Sequence, residues 1–419
     1  MDHEIDVPPF FICPVSFEIM KDPVTVSTGV TYDRESIEKW LFSGKNMTCP
    51  VTKQPLSHDI DLTPNHTLRR LIQAWCTVNA SHGIERIPTP KPPITRTQIT
   101  KLIRDASRSP QSLTRCLGEL KCIASDSEAN RRCMEASGAV EFLASVISAA
   151  SSQEEPNQDE ALSILHSLHV SEASLKSLMA FRNGRFIDSL TSVMQRGGFE
   201  SRACAVLLLN SMFQVADSAR LFNIRYELFV ELVQVLKDQI SQQATYATLQ
   251  TLIQLCPWGR NRYRAVKVGC VWELIELLLN CEERKVCEMM LVVLDILCGC
   301  AEGRAELLSH GAGLAVVSKK ILRVSTMANE RAVRILLSVS MFSATPSVVQ
   351  EMIQVGVVVK LCLVMQVESG SKTKEKAREI LKLLAHSCNN TSCIPTSLET
   401  YSLGVQIINN HSRASSMAR

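Results

Sequence analysis

The chain has 419 residues, of which 46% are hydrophobic, 21% charged and only 5% aromatic, and its formal net charge is +3. That length exceeds one ordinary core, and an apolar load carried by Leu, Val, Ile, Ala and Met favours two or more units of packed helices over an aromatic-rich β core. The near-balanced charge, without long basic runs, offers no electrostatic footprint for nucleic acid, and no stretch of about 20 uncharged apolar residues predicts a transmembrane helix. The 16 cysteines fall singly within apolar stretches, as at Cys204, Cys256, Cys287, Cys298 and Cys300, where a thiol acts as a small buried hydrophobe. Asp2, Glu4 and Asp6 precede no apolar run, so no secretory signal is expected. Reduced thiols and a cytoplasmic or nuclear location follow as expectations.

Residues 8–82 mix short strands and helices, an α+β pattern. Cys13-Pro14-Val15-Ser16-Phe17 forms a first loop. Val24-Thr25-Val26 and Val30-Thr31-Tyr32 flank Ser27-Thr28-Gly29, the pattern of a β-hairpin with glycine in the turn. Asp33 stands where a helix N-cap belongs. Ile37, Trp40 and Leu41 follow at helical spacing, and Gly44 ends that helix. Cys49-Pro50-Val51-Thr52-Lys53 is a second loop. A second helix starts near Asn65, with Leu68, Leu71, Ile72 and Trp75 on one face.

A zinc site in such loops would need ligand pairs such as C-x2-C. Ser16 stands where the partner of Cys13 would be, and Thr52 where that of Cys49 would be. Hydroxyls bind zinc poorly but hydrogen-bond well. No metal is expected, and the loops must be braced by hydrogen bonds and ion pairs, with Asp33, Arg34 and Glu35 as candidates.

Residues 83–97 are proline-rich (Pro88, Pro90, Pro92, Pro93) and read as a stiff, extended linker. Residues 98–390 are helix-forming and repeat. Gly138, Gly184, Gly269, Gly311 and Gly356 each open an apolar helix, at intervals of about 46, 85, 42 and 45 residues; the long interval holds a glycine-free repeat near Tyr226. Asn130-Arg131-Arg132 and Asn261-Arg262 precede their glycines by similar distances, which supports one register. A helical period of this length is similar to armadillo or HEAT repeats and predicts an all-α superhelical solenoid. An irregular helical bundle is the alternative. The tail, 391–419, is polar.

The segments Cys13-Pro14-Val15-Ser16-Phe17-Glu18-Ile19-Met20-Lys21-Asp22-Pro23-Val24, Gly29-Val30-Thr31-Tyr32-Asp33-Arg34-Glu35-Ser36-Ile37, Cys49-Pro50-Val51-Thr52 and Leu62-Thr63-Pro64-Asn65-His66-Thr67-Leu68-Arg69 closely resemble a U-box, a zinc-free RING-like fold. With helical repeats behind it, the chain resembles the plant U-box/armadillo ubiquitin ligases. The proline linker and the repeat start near Thr97 resemble the subgroup tied to immune and stress signalling.

That resemblance implies an E3 ligase that recruits a ubiquitin-charged E2 through the U-box and a protein substrate along an armadillo groove, with no cofactor. The implied E2 contacts are Cys13, Pro14, Val15 and Phe17 in the first loop, Cys49 and Pro50 in the second, and Trp40 on the intervening helix. Lys53 falls where relatives carry a basic linchpin touching E2 and ubiquitin; lysine keeps that charge without the bidentate fork of arginine. Thr63-Pro64 and Thr89-Pro90 are minimal proline-directed phosphorylation sites, and a phosphate at Thr63 would bear on self-association through the U-box. No catalytic constellation is present: the nine histidines lack metal-ligand spacing, and there is no phosphate loop or nucleophile elbow. The competing readings are a scaffold using the U-box-like domain only for interaction or dimerisation, and a factor that elongates ubiquitin chains already attached.

Overall fold

The computed structural model describes residues 7–43, 46–56, 62–80, 84–85, 94–149, 155–222, 224–367 and 370–389. Thr89, most of 83–97 and all of 391–419 lie outside the described residues. The chain divides into two compact units, Met1–Val140 with Ser167–His169, and Glu141–His166 with Val170–Arg419.

In the first unit, β1 (Pro23–Thr25) and β2 (Thr31–Asp33) pair antiparallel with Val24 opposite Tyr32. Gly29 closes the hairpin at φ 81, donating to the Val26 carbonyl at 2.8 Å. Only glycine holds that left-handed backbone without a Cβ penalty. A short β3 (Thr63–Pro64) adds to the other side of β1, giving the order β2-β1-β3. Pro64, on the edge strand, and Pro23, at a strand start, stand where prolines are tolerated in a sheet.

α1 (Arg34–Glu38) is shorter than its apolar spacing predicts, and the chain continues as a wider π-helical turn over Lys39–Ser43. That turn keeps Ile37 and Leu41 in the core while the Trp40 indole N–H reaches the Thr48 carbonyl at 2.9 Å. Such turns recur at functional sites. α2 (His66–Val78) is capped by Asn65, whose side chain accepts from the Leu68 amide at 3.0 Å. It buries Ile72 and Cys76, with Leu68 and Trp75 partly buried against the same core. Leu71 is 53% exposed, a correction to the face read from sequence: the inward positions are 68, 72, 75 and 76, and position 71 falls off that arc. Phe11, Met20, Val24, Tyr32, Leu56 and Ile72 fill the small core, each buried side chain contributing about 1.5–3 kcal/mol. α3 (Arg96–Ala106), opened by a Thr95/Gln98 capping box, packs with α4 (Pro110–Asp126) and α5 (Glu128–Ala136) in this unit. α6 (Ala139–Ala149) crosses the boundary between units.

The second unit repeats three-helix sets. They are α7 (Glu155–Ser167), α8 (Glu172–Ala180) and α9 (Phe186–Arg196); α10 (Phe199–Gln214), α11 (Ser218–Leu221) and α12 (Tyr226–Asp238); α13 (Gln242–Leu255), α14 (Gly259–Lys267) and α15 (Cys270–Asn280). Then follow α16 (Arg284–Leu297), α17 (Ala301–Ser309) and α18 (Gly313–Lys320); α19 (Thr326–Phe342), α20 (Pro346–Gln354) and α21 (Val357–Gln366); and α22 (Ser371–Asn389). The long helices α10, α13, α16, α19 and α22 each pack on the next. Leu249, Leu252, Leu291 and Leu336 are 0% exposed between them. No repeat could bury such faces alone, so stacking is what stabilises each one.

The register read from Asn130 and Asn261 has a physical basis. The Asn130 side chain accepts from the Ile94 amide at 3.3 Å and donates to the Ile123 carbonyl at 3.3 Å; Asn261 accepts from the Ile224 amide at 3.2 Å and donates to the Leu255 carbonyl at 3.1 Å. The following arginines donate to carbonyls at the end of the preceding long helix: Arg131 to Ala124 at 3.1 Å, Arg262 to Cys256 at 3.2 Å and Arg304 to Cys298 at 3.1 Å. Orphan helix-end carbonyls are thereby satisfied. Gly303 replaces asparagine in one repeat because a Cβ there would lie 2.0 Å from the Leu297 carbonyl oxygen. Gly138, Gly184, Gly269 and Gly356 share a left-handed φ of 81, 84, 82 and 75. Gly311 does not; in that repeat the tight position is Gly313, whose Cβ would meet the Leu307 oxygen at 2.0 Å. α12 begins at Tyr226, as the glycine-free repeat predicts. Among the described residues no single helix is long and apolar enough to cross a membrane.

Candidate docking site on the two cysteine loops

The two loops are one turn made twice. The Cys13 amide donates to the Glu18 carbonyl at 2.8 Å and the Phe17 amide returns to the Cys13 carbonyl at 2.9 Å. The Cys49 amide donates to Gln54 at 2.9 Å and the Lys53 amide returns to Cys49 at 2.9 Å. Phe17 and Lys53 both take a left-handed φ, 58 and 59. Bridges Ile12–Ile19 and Thr48–Pro55 close the base of each turn.

Both sulfurs are filled with hydrogen-bond donors. Cys13 Sγ accepts from the Asp33 amide at 3.3 Å. Burial alone would raise this thiol, but bonds from the Ser16, Asp33 and Val15 amides and the Ser16 hydroxyl bring it below its ordinary value. Cys49 Sγ is bonded by Thr28 Oγ1 at 3.3 Å, Tyr32 Oη at 3.0 Å and the Thr52 amide at 3.5 Å. Burial opposes ionisation here too, yet the Thr28, Thr52 and Tyr32 hydroxyls lower the thiol to about 6. Burial and the Cys49 bond in turn push the Tyr32 phenol up. Tyr32 Oη also accepts from the Val51 amide at 3.3 Å. Adjacent β2 residues, Tyr32 and Asp33, therefore tie down both loops.

Ion pairs complete the brace. Asp22 receives Arg34 at 2.6 Å and Arg69 at 3.4 Å. Asp33 holds the N-cap position of α1, but its carboxylate accepts from the Lys21 and Asp22 amides at 2.8 and 2.9 Å instead of from the helix. The capping role read from sequence is corrected accordingly: the loop offers two unpaired amides, and a carboxylate serves them better than one helix amide. Glu35 is exposed in the first turn of α1. Glu38, 5% exposed, has its carboxyl raised by burial against the lowering field of Arg34.

What the loops present is apolar. Phe17 is 80% exposed, Pro14 is exposed, and Val15, Pro50 and Trp40 are half-buried. Lys53 is exposed, with Nζ 5.6 Å from the Trp40 ring centroid. Cys13 and Cys49 are 0% exposed, which corrects their expected partner contact: their thiols serve as internal hydrogen-bond hubs. Val51, 53% exposed and equivalent to Val15 by the shared Cys-Pro-Val pattern, joins this surface; that pattern was the sequence signal for it. Thr63 is exposed in β3, two residues before the Asn65 cap. Among the described residues no group of three His, Cys, Asp or Glu side chains converges as a metal site. The arrangement can bind and orient a partner; its two acidified thiols, both fully buried, are sealed away from any substrate.

A metal-free pair of turns bearing exposed apolar side chains, on a small α+β unit followed by three-helix repeats, defines a U-box joined to armadillo-type repeats. The U-box domain family matches residues 7–81, and the plant U-box protein ARM repeat region matches residues 98–403. The chain is 55% identical to the E3 ubiquitin-protein ligase PUB23 of Arabidopsis thaliana, covering 95% of this chain and 97% of that one. It is 54% identical to PUB22 of the same plant, covering 95% and 99%, and 38% identical to PUB24, covering 96% and 98%. The chain belongs to the plant U-box family with an ARM repeat region. It is a RING-type E3 ubiquitin transferase.

Proposed function

We propose that the two cysteine loops recruit a ubiquitin-charged E2 and that the repeats hold the substrate. The observation that carries this reading is the pair of braced, metal-free turns presenting Val15, Phe17, Pro50 and Val51 beside Trp40 and Lys53. The ligase does no covalent chemistry. A substrate lysine attacks the E2 thioester, and the ligase supplies proximity by holding both at once. A small apolar patch gives weak, fast E2 exchange, as turnover of charged E2 requires. Lys53, fixed over Trp40, supplies a donor at the edge of the patch toward ubiquitin.

Autoubiquitination with E1 and a panel of E2s tests this. Val15→Arg with Trp40→Ala, and separately the surface substitution Val51→Arg, should each lower the rate at least tenfold. Full activity in both variants rejects the site; wild-type inactivity with every E2 favours the scaffold reading.

For the substrate, the face of the long helices offers polar side chains that link successive repeats: Asn210 to Gln250 at 2.8 Å, and Arg331 and Arg334 to Asp295 at 3.0 and 2.8 Å. Proximity labelling by the full chain should capture clients that Arg331→Glu with Arg334→Glu loses. Self-association through the U-box is supported by Phe10, Leu71 and Val78, 62%, 53% and 77% exposed. Leu71→Glu with Val78→Glu should shift the mass in solution to monomer; an unchanged mass removes that part. The cytoplasm as site of action, a role in plant immune or stress responses and phosphorylation at Thr63 rest on resemblance and are tested by imaging, knock-out phenotype and phosphosite mapping.

A further inference from the structure

An open cleft of about 670 Å³ in the second unit is lined by Ser148, Arg182, Asn183, Arg185, Asp188, Ser189, Ser192 and Arg225. Three guanidinium groups face one carboxylate there, a local excess of positive charge in a chain whose formal net charge is only +3. None of the eight lining side chains is apolar.

The basic groups are placed by the fold. Arg182 donates from Nη1 to the Ser148 carbonyl at 3.3 Å, and Ser189 donates to the Ser148 hydroxyl at 3.1 Å, so the end of α6 and the start of α9 form one wall. Arg225, the N-cap residue of α12, reaches across to Asp188 at 3.2 Å while its side chain stays 67% exposed. Arg185, the N-cap residue of α9, stands at i to Ser189 and Ser192 at i+4 and i+7, one stripe lining the cleft. Arg182 and Asn183 hold φ of 48 and 60, a backbone that costs about 1–2 kcal/mol at each residue that is not glycine. Such strain persists where the surroundings over-determine it, and it concentrates at binding sites.

We infer that this cleft binds a phosphorylated serine or threonine within a protein substrate. Arginine matches phosphate with a bidentate fork, and the N-terminal end of α9 adds a favourable dipole. The volume exceeds what one phosphate group fills, leaving room for neighbouring residues of an extended chain, whose amides can meet Asn183 and the three serine hydroxyls. Asp188 opposes densely charged polyphosphates. The cleft offers no apolar side chain to insert into a bilayer, which disfavours a membrane ligand. The inference rests on the reading that the repeats capture substrate and adds a mark that selects among clients.

The test uses the full chain, immobilised, against a degenerate peptide pool with one fixed phosphoserine and against the same pool with serine. The phosphorylated pool should be retained at least tenfold over its twin. Arg185→Glu with Arg225→Gln should reduce that preference to within twofold, with autoubiquitination unchanged and a cooperative melting transition retained. Equal retention of both pools, a preference that survives the double substitution, or tighter binding to vesicles containing phosphatidylinositol 4-phosphate than to peptide each overturns the proposal. Failure of the unsubstituted chain to capture any client, with phosphate selectivity intact, would instead reject the broader substrate reading and leave the cleft standing.

Discussion

Lys53 carries its charge on a left-handed backbone, φ 59, directly over the Trp40 ring. A cation so placed is pre-ordered toward whatever docks beside Trp40, and Lys53→Ala should slow ubiquitin discharge from E2 several-fold while leaving E2 affinity within about twofold. Lys53→Arg, which restores the fork, should raise the discharge rate; single-turnover discharge to free lysine measures both. Cys49 yields a pH signature. Its folded-state value of about 6 lies below the ordinary 9.0, so the thiolate is favoured by folding. The stabilisation it contributes is fully present above pH 9.0, declines as pH falls and is gone below about 6. Cys49→Ser keeps a hydrogen-bonding atom that does not titrate there, so the rise in U-box protection from hydrogen exchange between those pH values should flatten. An unchanged rise would show that the thiol stays protonated.

At the scale of elements, the brace replaces what a metal would do elsewhere. Asp22→Ala would remove the carboxylate shared by Arg34 and Arg69, leaving Arg34 with Glu38 at 3.8 Å and Arg69 with His66 at 2.8 Å, and should destabilise the U-box by about 1–2 kcal/mol, read as faster hydrogen exchange in β1 and β2. The repeat glycines separate by mechanism. Gly303→Ala drives a Cβ to 2.0 Å from the Leu297 oxygen and should be the most damaging. Gly269→Ala retains space but must hold φ 82, a cost of about 1–2 kcal/mol. Gly311→Ala meets nothing within 4 Å and needs no left-handed backbone, so it should be near neutral. Thermal melts of the three variants check the order. The hairpin and the start of α2 near Asn65 were legible in the sequence because each follows from local chemistry, and the start of α12 because the repeat period places it. The π turn at Lys39–Ser43 was not, because Trp40 settles there by bonding to Thr48, beyond the reach of helical periodicity. Leu71 misled for a related reason: an apolar residue flanking a helix stripe looks inward until the core's arc is known.

For the molecule as a whole, quasi-one-dimensional stacking makes each long helix depend on the one that follows it, and α19 depends on α22. Ala377, Ile380, Leu381 and Leu384 of α22 are buried where α22 packs against α19 and α21. Truncation after Val367 should therefore expose α19 and lower the melting temperature, with hydrogen exchange quickening from α21 backward and not uniformly. Composition, repeat period and the ordered motifs around Cys13, Gly29, Cys49 and Leu62 determined by themselves that this chain is a small α+β unit followed by a helical solenoid, because turn chemistry and helix periodicity are properties of neighbouring residues. Which side chains reach the surface was decided only by tertiary structure. Cys13 and Cys49 share their loops with Val15 and Val51, yet the thiols turn inward onto Asp33 and Tyr32 while Val15 is only half-buried and Val51 is exposed. The arginine cleft likewise exists only once α6, α9 and α12 are folded together, since residues up to 77 positions apart must meet to build it.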